Sequence, residues 1–131
     1  MINKGFLIVA VGALLCAGCS SEYSPSRLDS DSPEAKRVVS MVSTLRQGGV
    51  DGLAANMSAQ AIPGLTKPQL KGLRVGLEKI VTADDVQLQK IERFGQQIYR
   101  AVLTLKVDGR TEPLAMLLAP DGDGLGWIGP N

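Results

Sequence analysis

The stretch Tyr99-Arg100-Ala101-Val102-Leu103-Thr104-Leu105-Lys106-Val107-Asp108-Gly109 decides how the rest of the chain is read. Tyr99, Ala101, Leu103, Leu105 and Val107 occupy alternate positions, with Arg100, Thr104 and Lys106 between them. Successive strand side chains point to opposite faces, so a period of two predicts a strand with one buried face and one face in water. Asp108-Gly109 is a tight-turn pair, because both residue types tolerate positive φ, and it predicts an antiparallel hairpin. The return strand then covers 113–119.

The same period extends in both directions. Residues 120–126 form a glycine-rich turn, and Leu125-Gly126-Trp127-Ile128 reads as a last strand. Toward the N-terminus, Val86 and Leu88 open a strand that runs to Phe94. Before Asp84 the apolar spacing changes to three and four. Thr66 followed by Gln69 has the spacing of a capping box. Leu70, Leu73, Leu77 and Ile80 form a stripe behind it, with Lys67, Lys71, Arg74 and Glu78 off the stripe. A second helix starts at Ser32-Pro33-Glu34, where serine caps, proline suits the first position and an acid suits the positive end. Val38, Met41, Val42 and Leu45 lie on one face of it, and Gly48-Gly49 stops it. A short helical piece at 50–57 turns Leu53 and Met57 inward, and Ala61-Ile62-Pro63-Gly64 is a turn. Helices first and an antiparallel meander afterwards predict an α+β domain over 33–131, with N-terminal helices packed on one sheet face.

The first residues read differently. Met1-Ile2-Asn3-Lys4 is a short basic start, and Gly5 to Cys16 is uncharged and mostly apolar. Such an order is that of a secretory signal. A membrane span needs about 20 apolar residues, more than this run supplies. Leu14-Leu15-Cys16-Ala17-Gly18-Cys19-Ser20 resembles the bacterial lipobox. Ala17, Gly18 and Cys19 match its pattern, while Cys16 stands where leucine is commonest. The resemblance implies a signal peptide at 1–18, lipidation of Cys19 and attachment to a membrane through the lipid anchor. Two or three acyl chains hold a protein stably, whereas one does not. Ser20 after the lipidated cysteine implies the periplasmic face of the outer membrane. Residues 19–32 are rich in serine, charge and proline, and read as a flexible tether.

The domain as a whole resembles the NTF2-like, cystatin-like cone, and small lipoproteins related to lumazine-binding-like domains. That resemblance rests on a leading helix that ends near Gly49 and Asp51, a further helix, long strands and Trp127 after a polar turn. A simpler helix-plus-meander domain is the alternative. The cone resemblance implies a pocket between the helices and the sheet, carrying an acid or a tyrosine. Asp51, Glu92 and Tyr99 are the residues nearest to that description, but none sits in a transferable motif, so no catalytic residue is assigned.

The chain has no histidine, which removes the commonest general base and metal ligand. Asp121-Gly122-Asp123-Gly124 lacks the further ligands of a calcium loop and reads as a turn. Asp84 and Asp85 are adjacent in a strand-like segment and so point apart. Lys67, Lys71, Arg74 and Lys79 spread around a helix as a solvated face, and Tyr99 and Trp127 read as core residues with a polar edge. Fourteen basic residues stand against 13 acidic ones, and removing the leader takes away Lys4 alone. That balance gives no electrostatic case for a nucleic-acid partner or for an anionic membrane surface. No metal and no cofactor is expected. The sequence therefore predicts a non-enzymatic module that binds a small apolar ligand or a protein partner. The alternative is a structural or accessory subunit of an envelope assembly.

Overall fold

A computed structural model describes residues 25–131 apart from Gln96. The expected signal peptide at 1–18, Cys19 and the start of the expected tether lie outside the described residues. Elements follow in the order β1 (Ser26–Leu28), α1 (Pro33–Gly48), α2 (Leu53–Gln60), α3 (Lys67–Thr82), β2 (Asp85–Phe94), β3 (Ile98–Val107), β4 (Arg110–Asp121) and β5 (Gly124–Pro130). The five strands form one antiparallel sheet in chain order, and three helices pack on one of its faces. The α+β arrangement of helices on an antiparallel meander is thus observed.

Local chemistry explains the helix ends. Ser32 accepts a hydrogen bond from the Ala35 N–H at 3.2 Å, and Pro33 follows at the first helical position. Both halves of the capping box form at α3: Gln69 N–H donates to Thr66 Oγ1, and Thr66 N–H donates to Gln69 Oε1 at 2.8 Å. Behind these caps Val38, Leu45, Leu73, Leu77 and Ile80 are fully buried. Gly76 lets α3 settle on the sheet, because a Cβ there would lie 2.7 Å from Met116 Sδ.

The hairpin that opened the reading forms as its spacing requires. Tyr99, Ala101, Leu103 and Leu105 are buried, and the residues between them are not. Asp108 has φ 51° and Gly109 φ 80°, the positive values that such a two-residue turn demands. The Asp108 N–H also donates to Asp84 Oδ2 at 2.9 Å, which ties the turn to the end of α3.

Three boundaries differ from the expectations. The tether segment 19–32 contributes an edge strand, because Leu28 sits opposite Ile91 and Arg27 opposite Glu92. These two pairings draw a polar segment onto the sheet. The short helix runs later than 50–57: Val50 is half exposed and Leu53 is the first residue to reach the core. Finally β4 extends from Arg110 to Asp121, so the glycine-rich turn shrinks to the residues around Gly122 and Asp123.

Candidate functional site

Helix α1 crosses the covered sheet face and reaches the N-terminal half of β2. There β1 ends its pairing: it matches only Ile91, Glu92 and Arg93. Among the described residues, β3 pairs with the 85–89 part of β2 on one side and no strand lies along its other edge. A groove of about 620 Å³ opens at this place. Val39, Val42, Ser43, Arg46 and Gln47 of α1 form one wall, and Val86, Leu88 and Leu103 form the floor. The wall exists because positions 39, 42, 43 and 46 recur at three and four along a helix. Val39 is 52% exposed while Val42 is buried, so the groove grades from open mouth to core.

Arg46 is held in place by the backbone of another helix. Its guanidinium donates to the carbonyls of Ile80 at 2.8 Å, Ala83 at 2.9 Å and Asp84 at 3.2 Å. Carbonyls at a helix C-terminus lack intrahelical donors, and a cation there also meets the negative dipole end. The groove therefore has aliphatic walls, a rigid cationic end and amides from Gln47 and Gln87 at its rim. This arrangement suits an apolar body with a polar edge. It brings no acid and base together.

A second cluster lies on the sheet face that the helices leave uncovered. Arg100 donates to Glu92 Oε1 from Nε at 2.9 Å and from Nη2 at 2.6 Å, and Lys90 Nζ lies 3.6 Å from Oε2. The Arg100 guanidinium also stands 5.0 Å from the centre of the Phe94 ring, within cation–π range. Glu92 is buried beneath these cations. The Arg100 hydrogen bonds hold its carboxyl below the ordinary glutamate range, with help from the charges of Arg100 and Lys90 and against the opposing effect of burial.

Asp51, Glu92 and Tyr99 do not converge. Asp51 is exposed in the turn before α2, and Glu92 is on the uncovered sheet face. Tyr99 is buried on the covered face, beside a separate hollow of about 280 Å³ that Glu34 and Arg37 also line. Asp84 accepts the Asp108 N–H, and Asp85 accepts from Gln87 Nε2 at 3.3 Å. Asp121 and Asp123 flank the β4–β5 turn and are exposed. Among the described residues no group of three or more His, Cys, Asp or Glu is placed to hold a metal ion. Lys67, Lys71, Arg74 and Lys79 are exposed. Trp127 is fully buried and donates from Nε1 to Gln60 Oε1 at 2.9 Å, while Gln60 Nε2 donates to the Met41 carbonyl at 3.3 Å. Its role is to lock α2 and α1 onto β5. Cys19 lies outside the described residues.

Val42, Val86, Leu88 and Leu103 are legible in the sequence as apolar-face residues, but no pattern joins them into a groove. Val39 adjoins Val38 but lies off the core stripe, and its pairing with Val42 and Ser43 is the signal that marks a second apolar strip. The contact of Arg46 with carbonyls 34 to 38 positions away has no local signature.

No family model matches the chain, and no curated protein or solved structure matches it. No described helix is long and apolar enough to cross a membrane. The site is accordingly read from its own chemistry.

Proposed function

We propose that this chain is a lipid-anchored, non-enzymatic binding module of the bacterial envelope, and that its groove takes the apolar body of a small ligand. The observation that carries the reading is the groove of about 620 Å³ floored by Val86, Leu88 and Leu103 and walled by Val39 and Val42. Its volume falls in the range of about 300–1,000 Å³ typical of small-molecule sites, which are mostly apolar with a few placed polar groups. Its position between helix and sheet fits a small NTF2-like, cystatin-like cone. The separation of Asp51, Glu92 and Tyr99 supports a role without catalysis. In this reading the chain is cut before Cys19, lipidated there and held at the periplasmic face of the outer membrane.

One feature favours a second reading, that of an accessory subunit in an envelope assembly. The 85–89 edge of β2 beside the groove offers backbone groups that an extended partner segment can pair with, as in strand addition.

The ligand reading is tested by methyl NMR of the full chain in lipid nanodiscs, with hexanol as the apolar probe. Saturable shifts confined to Val39, Val42, Val86 and Leu88 are expected, with Val75 on the exposed side of α3 unaffected. Val39→Arg charges the open mouth at an exposed position, and should weaken the apparent affinity at least tenfold. Equal shifts at Val75 and Val39, or an unchanged affinity in Val39→Arg, would refute this reading.

A further inference from the structure

We propose that the uncovered face of the sheet is the surface that lies on the membrane, where it meets the anionic headgroups of phospholipids. The inference rests on the anchor at Cys19 proposed above, and it assigns an orientation and a lipid chemistry which that anchor alone does not.

The anchor can reach only a short way from the sheet. Seven residue steps separate Cys19 from Ser26, the first residue of β1. A fully extended chain spans at most about 3.6 Å per residue, so the lipidated residue lies within about 25 Å of β1. That strand is the edge of the sheet nearest the anchor in the chain, so a tether this short keeps the β1–β2 side of the domain near the bilayer.

The uncovered face at that edge is rich in cations. Register places Arg27, Glu92, Arg100 and Leu117 side by side in one row across four strands. The next row holds Lys90, Val102 and Ala115. Three cations therefore share this patch with one acid, and the Glu92 side chain is only 10% exposed beneath Arg100 and Lys90. What the patch presents outward is positive charge. Phe94, Val102 and Leu117 stay half-buried among the cations, and Ile98 is 37% exposed beside them. Cations interleaved with aliphatic and aromatic groups suit an anionic headgroup layer, where long side chains bury their stems and keep their charge wet. The near-equal totals of acids and bases in the chain conceal this local excess. In this orientation the groove, which opens on the helix side, faces away from the bilayer.

The test uses the full chain, produced in a bacterial host and reconstituted into vesicles of phosphatidylcholine with or without phosphatidylglycerol. Two single-cysteine variants carry an environment-sensitive dye: Thr104→Cys on the uncovered face and Arg74→Cys on exposed α3. Quenching by spin-labelled lipid is expected to be at least threefold stronger at position 104 than at 74 when phosphatidylglycerol is present. Arg27→Gln should reduce that ratio. So should salt of about 1 M, where the screening length falls to about 3 Å and no substitution is needed. Equal quenching at the two positions, or a ratio insensitive to salt, phosphatidylglycerol and Arg27→Gln together, overturns the inference. Flotation with the vesicles separates the two claims. A chain that floats but shows equal quenching is anchored with no preferred face, whereas one that fails to float has lost the anchor reading as well.

Discussion

On the helix-covered face of the sheet, Ile91, Ala101, Leu103, Leu105, Met116, Leu118 and Trp127 are buried against α1 and α3. On the opposite face the same strands present Lys90, Glu92, Arg100 and Thr104 in alternation with them. One backbone thus carries two chemistries, separated by the pleat alone. Apolar packing supplies the stability of the first face, at about 25 cal/mol per Å² of apolar surface removed from water. The second face is organised by cross-strand pairs, each contributing well under the cost of a core residue. A consequence is that the uncovered face is free to change its charge for function, whereas the covered face tolerates alteration only where it opens into the groove.

The covered face is most sensitive at Trp127. Trp127→Ala should destabilise the domain by about 3–5 kcal/mol, as large-to-small core changes do. It also removes the donor that engages Gln60, and urea unfolding measures the loss. Arg46→Ala should cost about 1–2 kcal/mol in the same assay, since it strips donors from the carbonyls that end α3. On the other face, Glu92→Gln should cost about 1 kcal/mol at neutral pH, the low end for a hydrogen-bonded charge because Arg100 keeps some exposure.

That same substitution sharpens the contrast through pH. The folded-state pKa of Glu92 is lowered, chiefly by Arg100. Its contribution is therefore complete above the ordinary glutamate value of 4.5 and is lost as pH falls through the lower folded value. Stability curves of the wild type and Glu92→Gln should converge as pH drops below 4.5, and curves that stay parallel would contradict the ion pair. The smallest effect is expected at Thr104→Ala, on the uncovered face, which should stay within about 0.5 kcal/mol of the parent.

Much of this two-faced design was legible in the sequence. The alternation from Tyr99 to Val107 announced which residues would be buried, and Ser32, Thr66 and Gln69 marked helix starts through side chains that act within three residues. These signals are local, and local geometry needs no knowledge of the rest of the chain. What escaped was non-local. Arg46 finds its carbonyls across two helices, and the groove depends on β1 stopping its pairing at Ile91. The cone resemblance implies Glu92 near a pocket, yet the register turns it to the opposite face, where Arg100 stands eight residues on. A single bulge between Leu88 and Lys90 is enough to reset which side of the sheet each residue takes, and no residue in that stretch signals it.

The assignment of one face to the bilayer depends on where the chain is fastened. Intact-mass spectrometry of the protein extracted from bacterial membranes tests that point most directly. The account predicts a polypeptide that begins at Cys19 and is heavier than residues 19–131 by a diacylglyceryl group and an amide-linked acyl chain. A chain that still begins at Met1, or one with the bare mass of its residues, would contradict it.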